Sequence, residues 1–346
     1  MKHLLSSLAL LACLVAFLPS CSVRPEQEPA HVIVAYVTSW TDVMPDPSVL
    51  THVNYAFGGV TRTFDAVRIS NPERLRSIAA LKQLSPDLKV CLSVGGWGSG
   101  NFSEMAASDS LRMAFAADCA RVVEEYGLDG IDIDWEYPTQ NSAGISSSPD
   151  DTKNFTLLMR DLRAALGQDR LLTLASVSTA QYVDFPAIMP FVDFVNIMSY
   201  DMGWAPRHNA PLYRSDASGK VSPIVGDVTA DEAVQAHLAA GVPPEKLVMG
   251  MPFYGRGNRD AYGDFVNYRD IHGPREGDSE VWDEIARVPY YADPEGTLLL
   301  GFENIRSIRE KCDYLLSQGL RGAMYWEYGG DNADLDLART IAEELL

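Results

Sequence analysis

Leu128-Asp129-Gly130-Ile131-Asp132-Ile133-Asp134-Trp135-Glu136-Tyr137-Pro138 is the stretch on which the fold of the chain turns. Successive side chains along a β-strand point to opposite faces, so residues two apart share one. Asp132, Asp134 and Glu136 therefore line up on one side, with Ile131, Ile133 and Trp135 on the other. Neighbouring acids in that row stand ~6.5 Å apart at a rise of ~3.3 Å per residue, and they repel one another. The apolar face says that the strand is buried all the same. An edge strand with a solvated acidic face would need neither Gly130, which suits close packing, nor the abrupt stop at Pro138. A buried ladder of acids points to chemistry.

Working outward, apolar β-rich runs alternate with helix-patterned ones. Strand-like runs fall at residues 31–37, 52–57 and 89–94, then the acidic run, then 171–177, 191–198, 247–251 and 322–326. Helical stripes fall at residues 72–84, 108–126, 150–166, 229–240, 304–318 and 334–346. Gly127 stops one of them, and Thr229 with Glu232 forms a capping box at the start of another. Eight strands alternating with helices and buried on both faces predict a parallel α/β sheet. The length and the eight units predict a single closed (β/α)8 TIM barrel over residues 30–346. One spacing is irregular: strand seven to strand eight takes about 70 residues, against about 30 per unit in a ~250-residue barrel. A short insertion is expected within about residues 257–301. It carries Tyr262, Tyr268, Trp282, Tyr290 and Tyr291, and is either a wall of a cleft or a surface excursion.

Lys2 and His3 precede an apolar run over residues 4–18, the pattern of a secretory signal at residues 1–20. Leu18-Pro19-Ser20-Cys21 resembles the lipobox of bacterial lipoproteins. The resemblance implies cleavage before Cys21 and acylation of its thiol; a plain signal peptide cut nearby is the alternative. Residues 21–29, with Pro25 and Pro29, read as a tether. The expected location is the cell envelope, lipid-anchored at the outer membrane on its periplasmic or outer side, or else secreted. A net charge of −19 argues against nucleic acid or an anionic membrane surface as ligand and leaves a neutral one. Membrane contact is expected only through the lipid, and the protein is expected to be a monomer. Cys91, Cys119 and Cys312 are too widely spaced for a disulfide framework or a metal site.

Active sites of such barrels lie at the C-terminal ends of the strands. Those ends offer Ser93 and Trp97, then Asp132, Asp134 and Glu136, then Met198, Tyr200 and Asp201, then Tyr254 and Arg256, and last Trp326 and Glu327. This is an acidic centre ringed by aromatics. Aromatic faces stack on sugar rings, and carboxylates are the acids and bases of glycoside hydrolysis. The ends hold neither a histidine-rich set for zinc nor a glycine-rich phosphate loop, so no metal or cofactor is expected.

Asp129-x-x-Asp132-x-Asp134-x-Glu136 resembles the signature of glycoside hydrolase family 18, the chitinases and their relatives. Ser93-Val94-Gly95-Gly96-Trp97 and Met198-Ser199-Tyr200-Asp201 resemble its strand-three and strand-six motifs. Asn209-Ala210-Pro211-Leu212, residues 250–256 and Trp326-Glu327 match further segments. The resemblance implies a retaining, endo-type chitinase acting on β-1,4-linked N-acetylglucosamine oligomers or polymers. It makes Glu136 the general acid, with Asp134 holding the substrate's acetamido N–H and Tyr200 its carbonyl oxygen. Asp132 tunes the row by sharing a proton with Asp134, and Asp129, out of phase, is structural. Trp326 is implied as the floor under the scissile sugar and Trp97 as a stacking residue. Gly96, Asp201, Tyr254 and Arg256 line the site with Met198 beneath, while Tyr36 and Phe57 are either wall or core.

Two rivals share the motifs. One is an endo-β-N-acetylglucosaminidase cutting the chitobiose core of N-linked glycans. The other is a family-18-like glycan-binding lipoprotein without catalysis, although such proteins typically lose an equivalent of Glu136 or Asp134. The tight Tyr200-to-Trp204 spacing argues against a stacking role for Trp204. A short insertion implies a shallow groove and internal cleavage.

Overall fold

A computed structural model describes residues 31–346. The signal, the tether and Cys21 lie outside the described residues. Eight parallel strands run in chain order: β1 (Val32–Thr38), β2 (His52–Val60), β3 (Lys89–Gly95), β4 (Gly130–Asp134), β5 (Leu171–Val177), β6 (Phe194–Met198), β7 (Leu247–Pro252) and β8 (Gly322–Trp326). Each pairs with the next, and β1 pairs with both β2 and β8, so the sheet closes on itself. The expected TIM barrel is the observed fold. Closure leaves the eight barrel strands without a free edge, and these strands are buried on both faces.

Helices cover the outside: α1 (Pro72–Ala79), α2 (Asp109–Tyr126), α3 (Asp151–Leu166), α4 (Ala230–Ala239), α5 (Ile305–Ser317) and α6 (Asp336–Leu345). Ser108 caps α2 by accepting from Leu111 N–H, and Gly127 ends it at φ 63°. The Thr229–Glu232 capping box opens α4 as expected. Three details depart from the sequence reading. The first stripe ends as an α-helix at Ala79 and finishes as a 3₁₀ turn, Ala80–Gln83. Residues 39–51, between β1 and β2, form a loop with no helix. A short strand, Val67–Ile69, pairs antiparallel with the end of β2.

The alternation in β4 sets the layers. Ile131, Ile133 and Trp135 face outward into the helix layer, where Trp135 stacks on Phe102 at 5.3 Å and lies 6.0 Å from Phe155. Asp132 faces the barrel axis. Asp129 sits below the row, where Val90 N–H and Lys82 Nζ donate to its carboxylate at 2.7 and 2.8 Å. It ties β4 to β3 and to the 3₁₀ turn that follows α1. Cys91, Cys119 and Cys312 are free and buried.

Between β7 and α5 the chain makes a five-stranded antiparallel sheet from Tyr254–Gly257, Val266–Asn267, Ser279–Asp283, Val288–Ala292 and Leu298–Gly301. Asp283 anchors it to the loop after β6, accepting from His208 Nε2 at 3.1 Å and Ser222 Oγ at 2.5 Å. Behind the sheet a buried Lys311 binds Glu303 and donates to the Ala210 carbonyl. The bond to the Ala210 carbonyl fixes α5 against the same loop. Among the described residues no helix is long and apolar enough to cross a membrane.

Candidate active site

The C-terminal ends of the strands surround a cleft of about 1170 Å³. Pockets for a single drug-sized ligand run to roughly 1,000 Å³ at most, so there is room for several sugar rings. Asp134 and Glu136 open into this cleft from β4 and the residues just beyond it. Met198, Tyr200 and Asp201 enter from β6, and Tyr254 and Arg256 from the first insertion strand. Trp326 enters from β8, Trp97 and Gly96 from the β3 end, and Tyr36 and Phe57 from β1 and β2.

Asp132 lies one layer below. Tyr36 and Ser93 hydroxyls donate to its Oδ2 at 2.8 Å each, while Thr173 Oγ1 and Asn196 Nδ2 donate to Oδ1 at 2.6 and 3.3 Å. Four strands thus supply donors to one carboxylate. Burial pushes the Asp132 carboxyl up from its usual range, and these donors pull it back. Asp134 has no such support: its Oδ1 is buried without a hydrogen-bond partner in the protein. Burial and then the charges of Glu136 and Asp132 push Asp134 well above the usual carboxylate range. Asp132 is occupied by hydroxyls and an amide, and the stronger electrostatic neighbour of Asp134 is Glu136.

Burial also raises Glu136, to about 7; Tyr137 opposes the rise by hydrogen bonding, and the Asp201 charge adds to it. Near neutral pH such a group both gives and takes a proton. The Tyr200 hydroxyl donates only weakly, to the sulfur of Met324 at 3.8 Å. It is free to turn to a stronger acceptor.

Glycine is required where β3 passes β4. A Cβ on Gly95, at φ 134°, would lie 1.9 Å from the Asp134 carbonyl oxygen. On Gly96, at φ 90°, it would lie 2.6 Å from the Phe57 ring. Gly96 N–H donates to the Asp134 carbonyl at 2.9 Å, so the two glycines seat the acid-bearing strand. Phe57 in turn stacks on Trp326 at 5.6 Å and 16° between planes, and Tyr36 packs on the same indole at 5.7 Å. Tyr36 and Phe57 thus both line the cleft and support its floor.

Across from them Asp201 is clamped. Arg256 binds both its oxygens at 2.6 and 2.7 Å, and the Tyr254 hydroxyl donates to Oδ1 at 2.8 Å. Asn209 Oδ1 accepts from the Asp201 N–H at 2.9 Å, which fixes a residue held at φ 54°. The Arg256 guanidinium also lies over the rings of Trp204, Tyr254 and Phe265 at 5.2–5.6 Å.

Four large aromatics are exposed where they line the cleft: Trp40 (65%), Trp97 (63%), Trp204 (49%) and Phe265 (43%). Such rings ordinarily mark a binding surface, and flat apolar faces beside acids suit sugars. Only Trp97 was expected here from the sequence. Trp40 follows directly on β1, so its place at a strand end was a usable signal. Trp204 lines the cleft despite the compressed spacing that argued against it. Phe265 sits in an insertion whose pairing has no clear periodicity, and no sequence signal marked it. The insertion does wall the cleft, through Gly257, Asn258, Arg259, Asp264 and Phe265. Its five aromatics picked out in the sequence do not. Tyr262, Tyr291 and Phe302 pack together, Tyr290 packs on His208, Trp282 lies under Arg306, and Tyr268 packs on the main core.

Residues 32–331 match the family Glycosyl hydrolases family 18. Chitinase A1 of Niallia circulans is 30% identical over 94% of this chain, which spans 60% of that protein's length. Chitotriosidase-1 of Mus musculus is 30% identical over 91% of the chain, which spans 78% of its length. A glycoside hydrolase family 18 N-acetylglucosaminidase from Paenibacillus barengoltzii superposes with a TM-score of 0.81 at 35% identity, covering 91% of this chain and 100% of that one.

Proposed function

The chain belongs to glycosyl hydrolases family 18, and on that premise we propose that it is a retaining, endo-acting chitinase whose nucleophile is the substrate's own acetamido group. One observation carries the reading. The unpartnered Asp134 oxygen, the weakly bonded Tyr200 hydroxyl and Glu136 share one cleft, beside the stacked indole of Trp326. That set offers an acceptor for an amide N–H, a donor for an amide carbonyl and a proton for a leaving oxygen.

Glu136 protonates the glycosidic oxygen as the C1–O bond breaks. The 2-acetamido carbonyl oxygen attacks C1 from the other face and closes an oxazolinium ring. Asp134 accepts from the acetamido N–H and faces the cation that forms, while Tyr200 donates to the carbonyl oxygen and aligns it. Water then opens the ring, giving its proton to Glu136, and two inversions leave net retention. This is the substrate-assisted exception to the two-carboxylate scheme. Internal cleavage is supported by the room for several sugars and by exposed rings at several points of the lining. The lipid anchor at Cys21 and a place in the cell envelope belong to the same proposal, on the pattern of residues 1–29.

One preparation assayed on a chromogenic chitobioside, a chromogenic chitotrioside and a high-mannose glycoprotein tests this reading. Release of the chromophore with the glycoprotein untouched is expected. Glycan release from the glycoprotein would make the protein an endo-β-N-acetylglucosaminidase instead. Retention on chitin without any turnover would make it a binding protein.

A further inference from the structure

Of the four exposed rings in the cleft, Phe265 alone comes from the insertion, and no step of the mechanism uses it. Local pairing sets its direction. Val266 pairs with Gly255 and Asn267 with Tyr254, antiparallel, and successive side chains of such a pair alternate between two faces. Val266 packs on the small core of Tyr291, Leu300 and Phe302, and a Cβ on Gly255 would lie 2.8 Å from the Leu300 side chain on that same face. Tyr254, Arg256 and Phe265 therefore share the other face, which is the wall of the cleft.

Phe265 is held firmly on that wall. Its ring stacks on Tyr254 at 4.2 Å and 16° between planes. Tyr254 is itself buried, with its hydroxyl on Asp201. The Arg256 guanidinium lies 5.3 Å from the Phe265 centroid and is fixed by both oxygens of Asp201. Arg259 binds Asp264 at 3.1 Å, which closes the hairpin just before the ring. A rigid backing on one side and an open cleft on the other offer a sugar a flat apolar face.

The rings of the cleft fall into two groups. Trp40, Phe57 and Trp326 stand together, their centroids 5.6–6.4 Å apart. Trp204, Tyr254 and Phe265 stand around Arg256 at 5.2–5.6 Å from its guanidinium carbon. With Trp326 as the floor under the scissile sugar, the second group is left for sugars farther along the chain.

We propose that Phe265 is a specificity-determining residue whose exposed face stacks on a pyranose ring beyond the scissile sugar, so that the protein favours N-acetylglucosamine oligomers long enough to reach the insertion. The inference rests on the chitinase reading above and adds to it a preferred length. Such a contact is made equally in ground state and transition state, so it lowers KM and leaves kcat where it is.

Initial rates on chitohexaose and chitotriose, followed by chromatography of the products, test this. The wild type is expected to show the higher kcat/KM on the hexamer. Phe265→Ala is expected to lower kcat/KM on the hexamer about tenfold, as a rise in KM, and to narrow the hexamer-to-trimer ratio accordingly. Phe265→Leu keeps apolar bulk against Tyr254 without a flat face and is expected to follow Phe265→Ala, whereas Phe265→Tyr is expected to stay close to the wild type. A ring that merely backs Tyr254 and the Asp201 clamp would, when lost, slow both oligomers alike. An unchanged ratio in Phe265→Ala and Phe265→Leu would therefore overturn the proposal, whatever the absolute rates. A wild type that cleaves neither oligomer defeats the chitinase reading; one that cleaves both, beside variants with an unchanged ratio, defeats only this inference.

Discussion

Glu136→Gln is expected to lower kcat on a chromogenic chitobioside by roughly three orders of magnitude or more while leaving the protein folded. The amide keeps the shape of the acid and most of its contacts but cannot surrender a proton to the leaving oxygen. A thousandfold loss corresponds to about 4 kcal/mol of transition-state stabilisation. The wild-type profile supplies a second signature. Burial holds Glu136 at about 7, and a general acid works protonated, so activity falls as the pH rises through that value. The variant has no such limb. Stability moves the same way. Glu136 is raised in the folded state from its ordinary 4.5 to about 7, so stability declines as the pH rises across that window. Glutamine escapes the cost, and at pH 8 the variant is expected to melt at or above the wild-type temperature. Near-wild-type turnover would remove Glu136 from the chemistry.

Asp134→Asn carries the second large effect, a fall in kcat of about a hundredfold to a thousandfold with a much smaller change in KM. An asparagine oxygen still accepts from the acetamido N–H, so ground-state binding survives in part. What it lacks is negative charge facing the oxazolinium cation, in a site from which protein excludes most water. Removing one group aimed at charge that develops only in the transition state typically costs this much. The substrate can be varied to the same end. Fully de-N-acetylated oligomers have no internal nucleophile, and the wild-type enzyme is expected to leave them intact. Hydrolysis of such oligomers, by wild type or by Asp134→Asn, would show that the acetamido group is dispensable.

The barrel was legible because each of its strands is local in sequence and buried on both faces. The acidic strand was legible for a sharper reason: a period of two puts Ile131 and Ile133 on one side and Asp132 and Asp134 on the other, whatever lies around them. What the spacing could not supply was the company each acid keeps. Asp132 gathers Tyr36, Ser93, Thr173 and Asn196 from four strands, 39 to 96 positions away along the chain, only because the sheet closes. Without those donors in view, the spacing pairs Asp132 with Asp134 and leaves open what else holds each of them.

The insertion resisted reading for a different cause. Its strands are two to five residues long and pair antiparallel across turns, so most of their aromatics serve a small local core, and Phe265, which reaches the cleft, is set apart by nothing in the sequence.

Nuclear magnetic resonance of a fresh hydrolysate tests the substrate-assisted mechanism most directly. Spectra taken within the first minutes of cleavage of a chitin oligomer, before mutarotation, report the anomer released at the new reducing end. Two inversions at C1 give the β-anomer in excess, decaying towards equilibrium with time, and that is the expected result. Initial release of the α-anomer would mean a single displacement by water, and neither the acetamido nucleophile nor the roles given to Asp134 and Tyr200 would stand.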